Sequence, residues 1–515
     1  MTFSMWMSGL ATILTPSVLM FNLIGVVLGV IVGALPGLSA TMAIAILTPM
    51  TFWFEPKDGF AMLIGVWNSA IWAGGISAIL INTPGTPASI ASTFDGYAIY
   101  KRGQGGLALG INVIYSTMGG LVSTALLISC SFAVARFAVG FGPTEYFSLA
   151  LFGLTMMASV SGDSPGKGIT IGLLGILIST IGLDPILSVK RFTFGSTNLI
   201  AGINFLPVMI GMFGLGEVLT QIFERKASTD EEEERQKAGN LKLGRVLPTW
   251  EENKSLFKPN FIASLIATVV GAVPAAGGDI ASIICWGQAK KMSKHPEEYG
   301  KGSLEGLSVS CTANNGVIGG ALMTMLTLGI PGDSVSAILI GSLMMYGMQP
   351  GPKMFTEHAP FVINIMLLMI LSYVVIMVLG LATCKASAKV LNIRKETVWV
   401  SVTMLCVVGS YALNNSFFDV SIMLIAGLIG FLFKRCNYAP GPFILGLLLG
   451  SMLESNFRRA MVMSKGSLDI FYTRPVTVVF LGFIFLSLLF PLIKGYWRKT
   501  HPISGIPENK NRSAE

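Results

Sequence analysis

The first 54 residues of the chain contain no charged side chain, and this run is the feature that most constrains the fold. It is long enough for two membrane crossings, because one transmembrane helix takes about 20 apolar residues. The sequence Leu35-Pro36-Gly37 interrupts the run where a turn between two helices belongs. Only 12% of all residues are charged, against about 25% in a soluble protein. The sequence therefore predicts a membrane protein.

Uncharged runs recur along both halves of the chain, from 59–94 to 475–493. An ionised side chain is costly at the centre of a bilayer, so these runs mark the membrane segments. Some of them are too short to cross a membrane and fit re-entrant segments instead. We expect an all-α polytopic membrane protein with about 11–12 transmembrane helices, some of them broken or re-entrant.

One charged stretch divides the chain. Residues 224–258 include the acidic run 230–234 and are predicted to be a cytoplasmic polar linker. This division predicts a first membrane repeat at 1–223 and a second repeat with C-terminal helices at 259–500. Residues 501–515 are predicted to be a polar tail.

The net charge of +8 comes largely from basic residues in short loops, which is typical of membrane topology and not of nucleic-acid binding. The basic loops 385–395, 434–435 and 494–499 place the C-terminus in the cytoplasm by the positive-inside rule. The sidedness of the N-terminus and the oligomeric state stay open. The six cysteines are scattered singly, which argues against a disulfide framework or a zinc site.

The two halves of the chain share a pattern of glycine and proline. The tetrapeptide 33–36 (GALP) recurs as 271–274 (GAVP), an offset of 238 residues. The elements Ala73-Gly74-Gly75 and Pro84-Gly85 recur at 318–320 and 331–332 with offsets of 245 and 247. We interpret this as two structural repeats, expected to be inverted, because paired interrupted helices mark the central site of many secondary transporters.

The first break in this pattern lies at Asn82-Thr83-Pro84-Gly85-Thr86-Pro87. Two prolines forbid a regular helix there and leave nearby carbonyl groups without partners. Inside a membrane such backbone is tolerated where it lines a cavity or is covered by protein. A helix that restarts after Thr86 would direct free N–H groups at an anion. The alternative is a proline kink that neighbouring helices satisfy.

The second break follows two adjacent amides by one helix length. Asn314 and Asn315 offer donors to a carboxylate and carbonyl oxygens to a cation, and Pro331-Gly332-Asp333-Ser334 forms the break itself. Asp333 is either a helix cap or a residue that couples transport to a cation or proton. Asp279 follows Gly277-Gly278 and has the same two interpretations.

Several motifs together resemble the large membrane subunit of the tripartite tricarboxylate transporter family. They are GALPGLSATMAIAILTPMTF (33–52), AGGISAILINTPGTPAS (73–89), DGYAIYKRGQGGLALG (95–110), SKHPEEYGKGSLEG (293–306), ANNGVIGGALMTMLTLGIPGDS (313–334), YALNNSFFDV (411–420) and LESNFRRAM (453–461). The family's motif positions fall on Pro36, Gly37, Gly74, Gly75, Pro84, Gly85, Asn314, Asn315, Pro331 and Gly332. The sequence departs from the family pattern at Ser310-Cys311, where Pro-Glu is expected, and at Ala275, where Gly is usual.

The resemblance implies a bacterial inner-membrane secondary transporter for a citrate-like or other organic carboxylate. It implies sodium or proton coupling, a small membrane subunit and a periplasmic solute-binding protein as partners, and no cofactor besides the coupling ion. We expect no catalytic residues. A channel-type pore and a membrane-embedded enzyme are the alternatives, but the sequence has neither a ring of like charges nor a nucleophile-base-acid set. Asp333 and Asp279 are the candidate ion-coupling residues, and the candidate substrate-binding residues are Asn82, Thr83, Pro84, Gly85, Thr86, Asn314, Asn315, Pro331, Gly332 and Ser334.

Overall fold

The computed structural model of the chain describes residues 2–160, 165–184, 186–224, 244–274, 276–387, 390–391 and 395–500. Most of the predicted polar linker, Ala275 and the predicted tail 501–515 lie outside the described residues. Residues 250–258, which the sequence assigns to the linker, form the first turns of a helix.

Helices make up nearly all of the regular structure in the described ranges. The first half contains α1 (Phe3–Ile13), α2 (Pro16–Ala34), α3 (Ala40–Thr51), α4 (Pro56–Ile81), α5 (Ser92–Ile99), α6 (Gly105–Ala138), α7 (Pro143–Val160), α8 (Pro165–Ser179), α9 (Phe205–Met209) and α10 (Gly216–Glu224). The second half contains α11 (Trp250–Ala272), α12 (Gly277–Met292), α13 (Leu304–Leu328), α14 (Ser334–Met345), α15 (Met354–Glu357), α16 (Ala359–Ser387), α17 (Lys395–Asn414), α18 (Phe417–Arg435), α19 (Gly441–Met463), α20 (Ile470–Thr473) and α21 (Pro475–Thr500).

The predicted fold class, an all-α polytopic membrane protein, is confirmed. Eight described helical segments are long and apolar enough to cross a membrane, and four shorter apolar helices accompany them. The most completely enclosed of the eight is α4, whose apolar window is wholly buried inside the protein. The inverted relation of the two repeats stays a prediction.

Glycine allows α2 and α4 to approach backbone to backbone. A Cβ atom built on Gly25, Gly29 or Gly33 would lie 2.2, 2.0 and 2.1 Å from the nearest atom of α4, and at Gly25 and Gly33 that atom is a backbone carbonyl oxygen. In a membrane, helices associate through such close packing because lipid removes the hydrophobic driving force. The stripe therefore fixes the position of α4 against α2.

The second half packs α11 against α13 in the same way. A Cβ atom on Gly271 would lie 2.1 Å from Val317 O, and one on Gly320 would lie 2.0 Å from Thr268 O. Each of the two pairs thus places a long buried helix, α4 or α13, against a helix that ends in the GALP or GAVP turn.

A two-stranded hairpin between α8 and α9 is the one sheet in the described part of the chain. It pairs β1 (Gly182–Leu183) with β2 (Lys190–Arg191). At its turn the Asp184 carboxylate accepts hydrogen bonds from Leu187 N and Ile186 N, both at 2.8 Å, and pairs with Arg458 of α19. These donors, above all the Leu187 N–H, hold the pKa of Asp184 far below its usual range.

We expect the Gly271→Ala variant to be markedly less stable than the wild type, because the new methyl group would overlap Val317 O. Overpacking of this kind costs about 1–3 kcal/mol. The matched control is Gly287→Ala in α12, where a Cβ atom meets nothing within 4 Å. There the loss of glycine should stabilise the helix by about 0.5–1 kcal/mol. Thermal unfolding in detergent measures both, and equal midpoints for the two variants would contradict the packing described above.

Candidate functional site

The two breaks predicted from the sequence follow the same backbone path. Helix α4 ends at Ile81 and is followed by Asn82 in the left-handed conformation, with φ of 54°. Helix α13 ends at Leu328 and is followed by Gly329 with φ of 71°. The two left-handed positions are 247 residues apart, the same offset that separates Pro84-Gly85 from Pro331-Gly332.

Each break rests on the carbonyl end of a neighbouring helix. A Cβ atom on Gly85 would lie 2.1 Å from Gly33 O, and one on Gly332 would lie 2.5 Å from Gly271 O. Gly85 N also donates to Gly74 O at 3.1 Å. Glycine is needed at both positions because any side chain would force the break away from its support.

The contacts between each break and its preceding helix correct the register of the pattern. Gly85 packs on the Cα atom of Gly74, and Gly332 packs on the Cα atom of Ala321. Gly74 therefore corresponds to Ala321, at the constant offset of 247, and not to Gly319 as residue identity indicates. The contacts define which backbone positions correspond in space, whereas the sequence pattern pairs positions that have the same residue type.

The chain resumes after each break with a matching turn. Thr86 N donates to Ser89 Oγ at 3.4 Å, and Asp333 N donates to Ser336 Oγ at 2.9 Å. These residues also correspond at an offset of 247. The first break leads into a three-residue 3₁₀ turn, Pro87–Ser89, whereas the second leads directly into α14.

The two corresponding side chains differ in what they bind. The Asp333 carboxylate accepts from Ser336 N at 2.8 Å and from Ser336 Oγ at 2.7 Å, so it caps α14. Thr86 is 2% exposed and has a capping-box arrangement with Ser89, but its Oγ1 atom makes no hydrogen bond among the described residues. The capping interpretation of Asp333 thus agrees with the structure, and the carboxylate occupies the N-terminus of α14 that an external anion would need.

The remaining predicted residues of the first break have local roles. Asn82 is exposed at the end of α4, and Thr83 Oγ1 donates to Ile81 O at 3.2 Å. Pro84, the next residue, is half-buried, and Gly85 is buried. In the second break Pro331 is buried, and Ser334, the first residue of α14, is half-buried.

Asn314 and Asn315 are both fully buried but contact different elements. In the amide orientation that satisfies its neighbours, Asn314 Nδ2 donates to Ser310 O and to Ala88 O, which belongs to the turn after the first break. Asn315 Nδ2 donates to Asn68 O on α4 at 2.9 Å. The two predicted amides therefore do not act as a pair, since successive residues of a helix point about 100° apart.

One short segment connects the two breaks. Gly271, at the end of α11, supports Gly332 of the second break. Gly278, in the first turn of α12, lies so close to the first break that its Cβ atom would be 2.8 Å from Ala88 Cβ. Asp279, the next residue, is half-buried. The structure thus brings both breaks, Asn314 and both candidate acids into one region.

Asp95 is an important buried acid that the sequence did not single out. Its carboxylate accepts from Gly300 N, Gly302 N and Ser303 N at 2.8, 3.0 and 2.9 Å, and from Trp286 Nε1 at 2.8 Å. These bonds join α5 to α12 and to the turn before α13. Asp95 could have been identified from the sequence, because Asp95 and the 293–306 segment both lie in motifs that carry the family resemblance.

A cavity of about 980 Å³ lies apart from the two breaks. It is bordered by α11, α12 and the 293–305 segment, with lysines at 254, 258, 294 and 301 among its lining residues. None of the candidate substrate or ion-coupling residues lines it. Among the described residues, no group of three or more His, Cys, Asp or Glu side chains could hold a metal ion.

Comparison with known proteins identifies relatives over nearly the whole chain. Residues 19–445 match the tripartite tricarboxylate transporter TctA family. An uncharacterized 52.8 kDa protein in the TAR-I ttuC' 3' region of Agrobacterium vitis is 33% identical over 477 residues, which cover 92% of this chain and 93% of that protein. An uncharacterized protein in the TAR-II ttuC' 3' region of the same organism is 30% identical over 226 residues, covering 44% of this chain and 93% of its own length. No solved structure matches the chain.

The cap at Asp333 can be separated from its charge by substitution. We expect Asp333→Ser to fold with nearly wild-type stability, because serine is an equally good N-cap. Asp333→Ala loses the bond from Ser336 N and should be destabilised by about 1 kcal/mol. Thermal unfolding in detergent compares the two variants. Equal destabilisation by serine and alanine would show that the carboxylate does more for stability than cap the helix.

Proposed function

This chain belongs to the tripartite tricarboxylate transporter TctA family, and we propose that it takes up a citrate-like or other organic carboxylate by secondary active transport. We propose that it works in the bacterial inner membrane with a small membrane subunit and a periplasmic solute-binding protein. Sodium or proton flux drives the uptake. Family membership supports a membrane subunit of a tricarboxylate transporter.

The substrate is held at the first break. The observation that carries this assignment is the buried Thr86 hydroxyl, which lacks a hydrogen-bond partner among the described residues. An unsatisfied buried hydroxyl is costly, and a substrate carboxylate would satisfy it. Asn82, exposed on the same break, supplies an amide donor. The Asn314 amide holds Ala88 and so keeps this break in place.

The coupling ion is held on the side of the second break. Asp333 follows Gly332 of the second break, and Asp279 follows Gly278, which contacts the first break. Two like charges in a region enclosed by protein favour uptake of a cation or a proton. The bound cation or proton then offsets the negative charge that would otherwise repel an anionic substrate at the first break.

The arrangement suits alternating access. Gly271 contacts the second break and Gly278 contacts the first, so a change at Asp279 or Asp333 reaches the substrate side over a short stretch of sequence. We propose the two membrane repeats 1–223 and 259–500 as the moving units, with the linker 224–258 and the C-terminus in the cytoplasm. Asn315, Pro331, Gly332 and Ser334 then shape the interior between the repeats and do not all contact the substrate.

Loss of the Thr86 hydroxyl should weaken transport. We expect Thr86→Ala to lower saturable citrate exchange about tenfold, because a hydrogen bond to a charged group contributes about 1.5–3 kcal/mol. Thr86→Ser should restore most of the activity. The assay is counterflow of labelled citrate and a panel of di- and tricarboxylates in proteoliposomes that contain the complete transporter.

Thr93→Ala serves as the matched control, since the Thr93 hydroxyl bonds only to Ile90 O within its own turn among the described contacts. This variant should exchange substrate at the wild-type rate. Unchanged exchange by Thr86→Ala would overturn the placement of the substrate. Conductance that does not saturate with substrate would instead identify a pore.

Removal of the Asp333 charge should uncouple transport. We expect Asp333→Ser, which keeps the helix cap, to lose accumulation driven by an imposed sodium or pH gradient. Asp419→Asn is the control, because Asp419 is a buried acid whose carboxylate accepts from Asn414 Nδ2 of the neighbouring helix, away from the breaks. Accumulation by Asp333→Ser at the wild-type level would exclude Asp333 as the coupling acid.

A further inference from the structure

Two buried asparagines meet at the centre of the protein. Asn68 lies midway along α4 and Asn315 midway along α13, and they are 247 residues apart, the offset that relates the two breaks. Both are 0% exposed. The bond from Asn315 Nδ2 to Asn68 O, at 2.9 Å, shows that the two helices cross at these residues.

Each of these amides has an oxygen atom that no described residue binds. Asn68 Oδ1 and Asn315 Oδ1 are buried and have no hydrogen-bond partner in the part of the chain that the structure describes. The Asn68 amide nitrogen faces Met369 Sδ of α16 at 3.5 Å, a weak contact. A buried carbonyl oxygen without a partner is costly, and two at one helix crossing call for a ligand that accepts their lone pairs.

A third free oxygen lies on the adjoining helix α6. Tyr373 of α16 donates to Asn315 O at 3.4 Å, and its ring packs on Gly120 of α6. Thr117 precedes Gly120 by three residues, so both lie on the same side of α6. Thr117 is 1% exposed, and its Oγ1 atom also has no partner among the described residues.

These oxygens favour one chemical class of ligand. All three are neutral and hard, which suits an alkali or alkaline-earth cation and not a soft metal. A divalent ion would also need carboxylates to balance its charge, and the three oxygens come from amide and hydroxyl groups alone. We propose that Asn68, Asn315 and Thr117 form a buried Na⁺ site where α4, α6 and α13 meet.

An ion at this location would affect the positions of both breaks. Helix α4 ends in the first break and α13 ends in the second, so an ion between their midpoints sets how these helices cross. The site is separate from Asp333, which lies after the end of α13, and from Asp279, which lies in the first turn of α12. Its part in coupling rests on the transport function proposed above, whereas the binding of Na⁺ does not.

Thermal unfolding of the purified full-length chain tests the site directly. The midpoint is measured in NaCl, KCl and choline chloride at constant ionic strength, without carboxylate substrate. A ligand that binds only the folded state raises the midpoint with the logarithm of its concentration. We expect this rise with Na⁺ and not with K⁺ or choline. Equal midpoints in all three salts would overturn the site and leave water as the partner of the amides.

Variants locate the response. Asn68→Leu and Thr117→Val keep the side-chain size but remove a ligand oxygen, and each should raise the half-saturating Na⁺ concentration at least about tenfold. Asn68→Leu should fold, because the amide that it removes makes only the weak contact with Met369 among the described contacts. Unchanged Na⁺ responses in both variants would overturn the assignment.

Two further variants serve as controls. Both polar atoms of the Asn260 amide have hydrogen-bond partners. Its Nδ2 donates to Leu256 O and Ser308 Oγ, and its Oδ1 accepts from Thr312 Oγ1. Asn260→Ser should lower the midpoint but keep the Na⁺ response. Asp419→Asn, whose carboxylate bonds to Asn414 outside both sites, should also keep it. Loss of the response in Asp333→Ser with retention in Asn68→Leu would place the ion at the second break instead and overturn this site. Citrate exchange is measured separately, so a failure of the transport proposal is distinguishable from a failure of this one.

Discussion

Backbone groups released by a helix break inside a membrane must find their partners within the protein, and the structure is organised around this requirement. Each break packs against the carbonyl end of a neighbouring helix, Gly85 on Gly33 and Gly332 on Gly271. The glycine stripes that join α2 to α4 and α11 to α13 hold those supports in position. A side chain at any of these contacts would separate a break from the helix that supports it.

The two breaks share a backbone path but differ in the chemistry of their side chains. Thr86 and Asp333 correspond at the constant offset of 247 residues, yet one is a neutral hydroxyl without a partner among the described residues and the other is a charged helix cap. In the proposed transport of an anion together with a cation, this difference would let the two breaks hold different ions.

Much of the site could be predicted from the sequence, because proline and glycine act locally. Pro84 and Pro331 end their helices whatever surrounds them, so both breaks were predicted correctly. The grouping of Asn314 with Asn315 was less informative. Adjacent letters lie on different faces of a helix, and these two residues contact Ala88 and Asn68 respectively. Asn68 could have been noticed by the same rule that singled out Asn314, since it is also an amide within an apolar run.

The sequence by itself determined that the chain is a helical membrane protein, where its helices are interrupted and which family it belongs to. These properties follow from the spacing of charges, prolines and motifs, which are local or are preserved as patterns of letters. Only the tertiary structure decided which break rests on which helix, that Thr86 and three further buried oxygens lack partners in the described chain, and that Asp333 caps α14. Hydrogen-bond satisfaction depends on residues hundreds of positions apart, and their meeting is decided by helix packing.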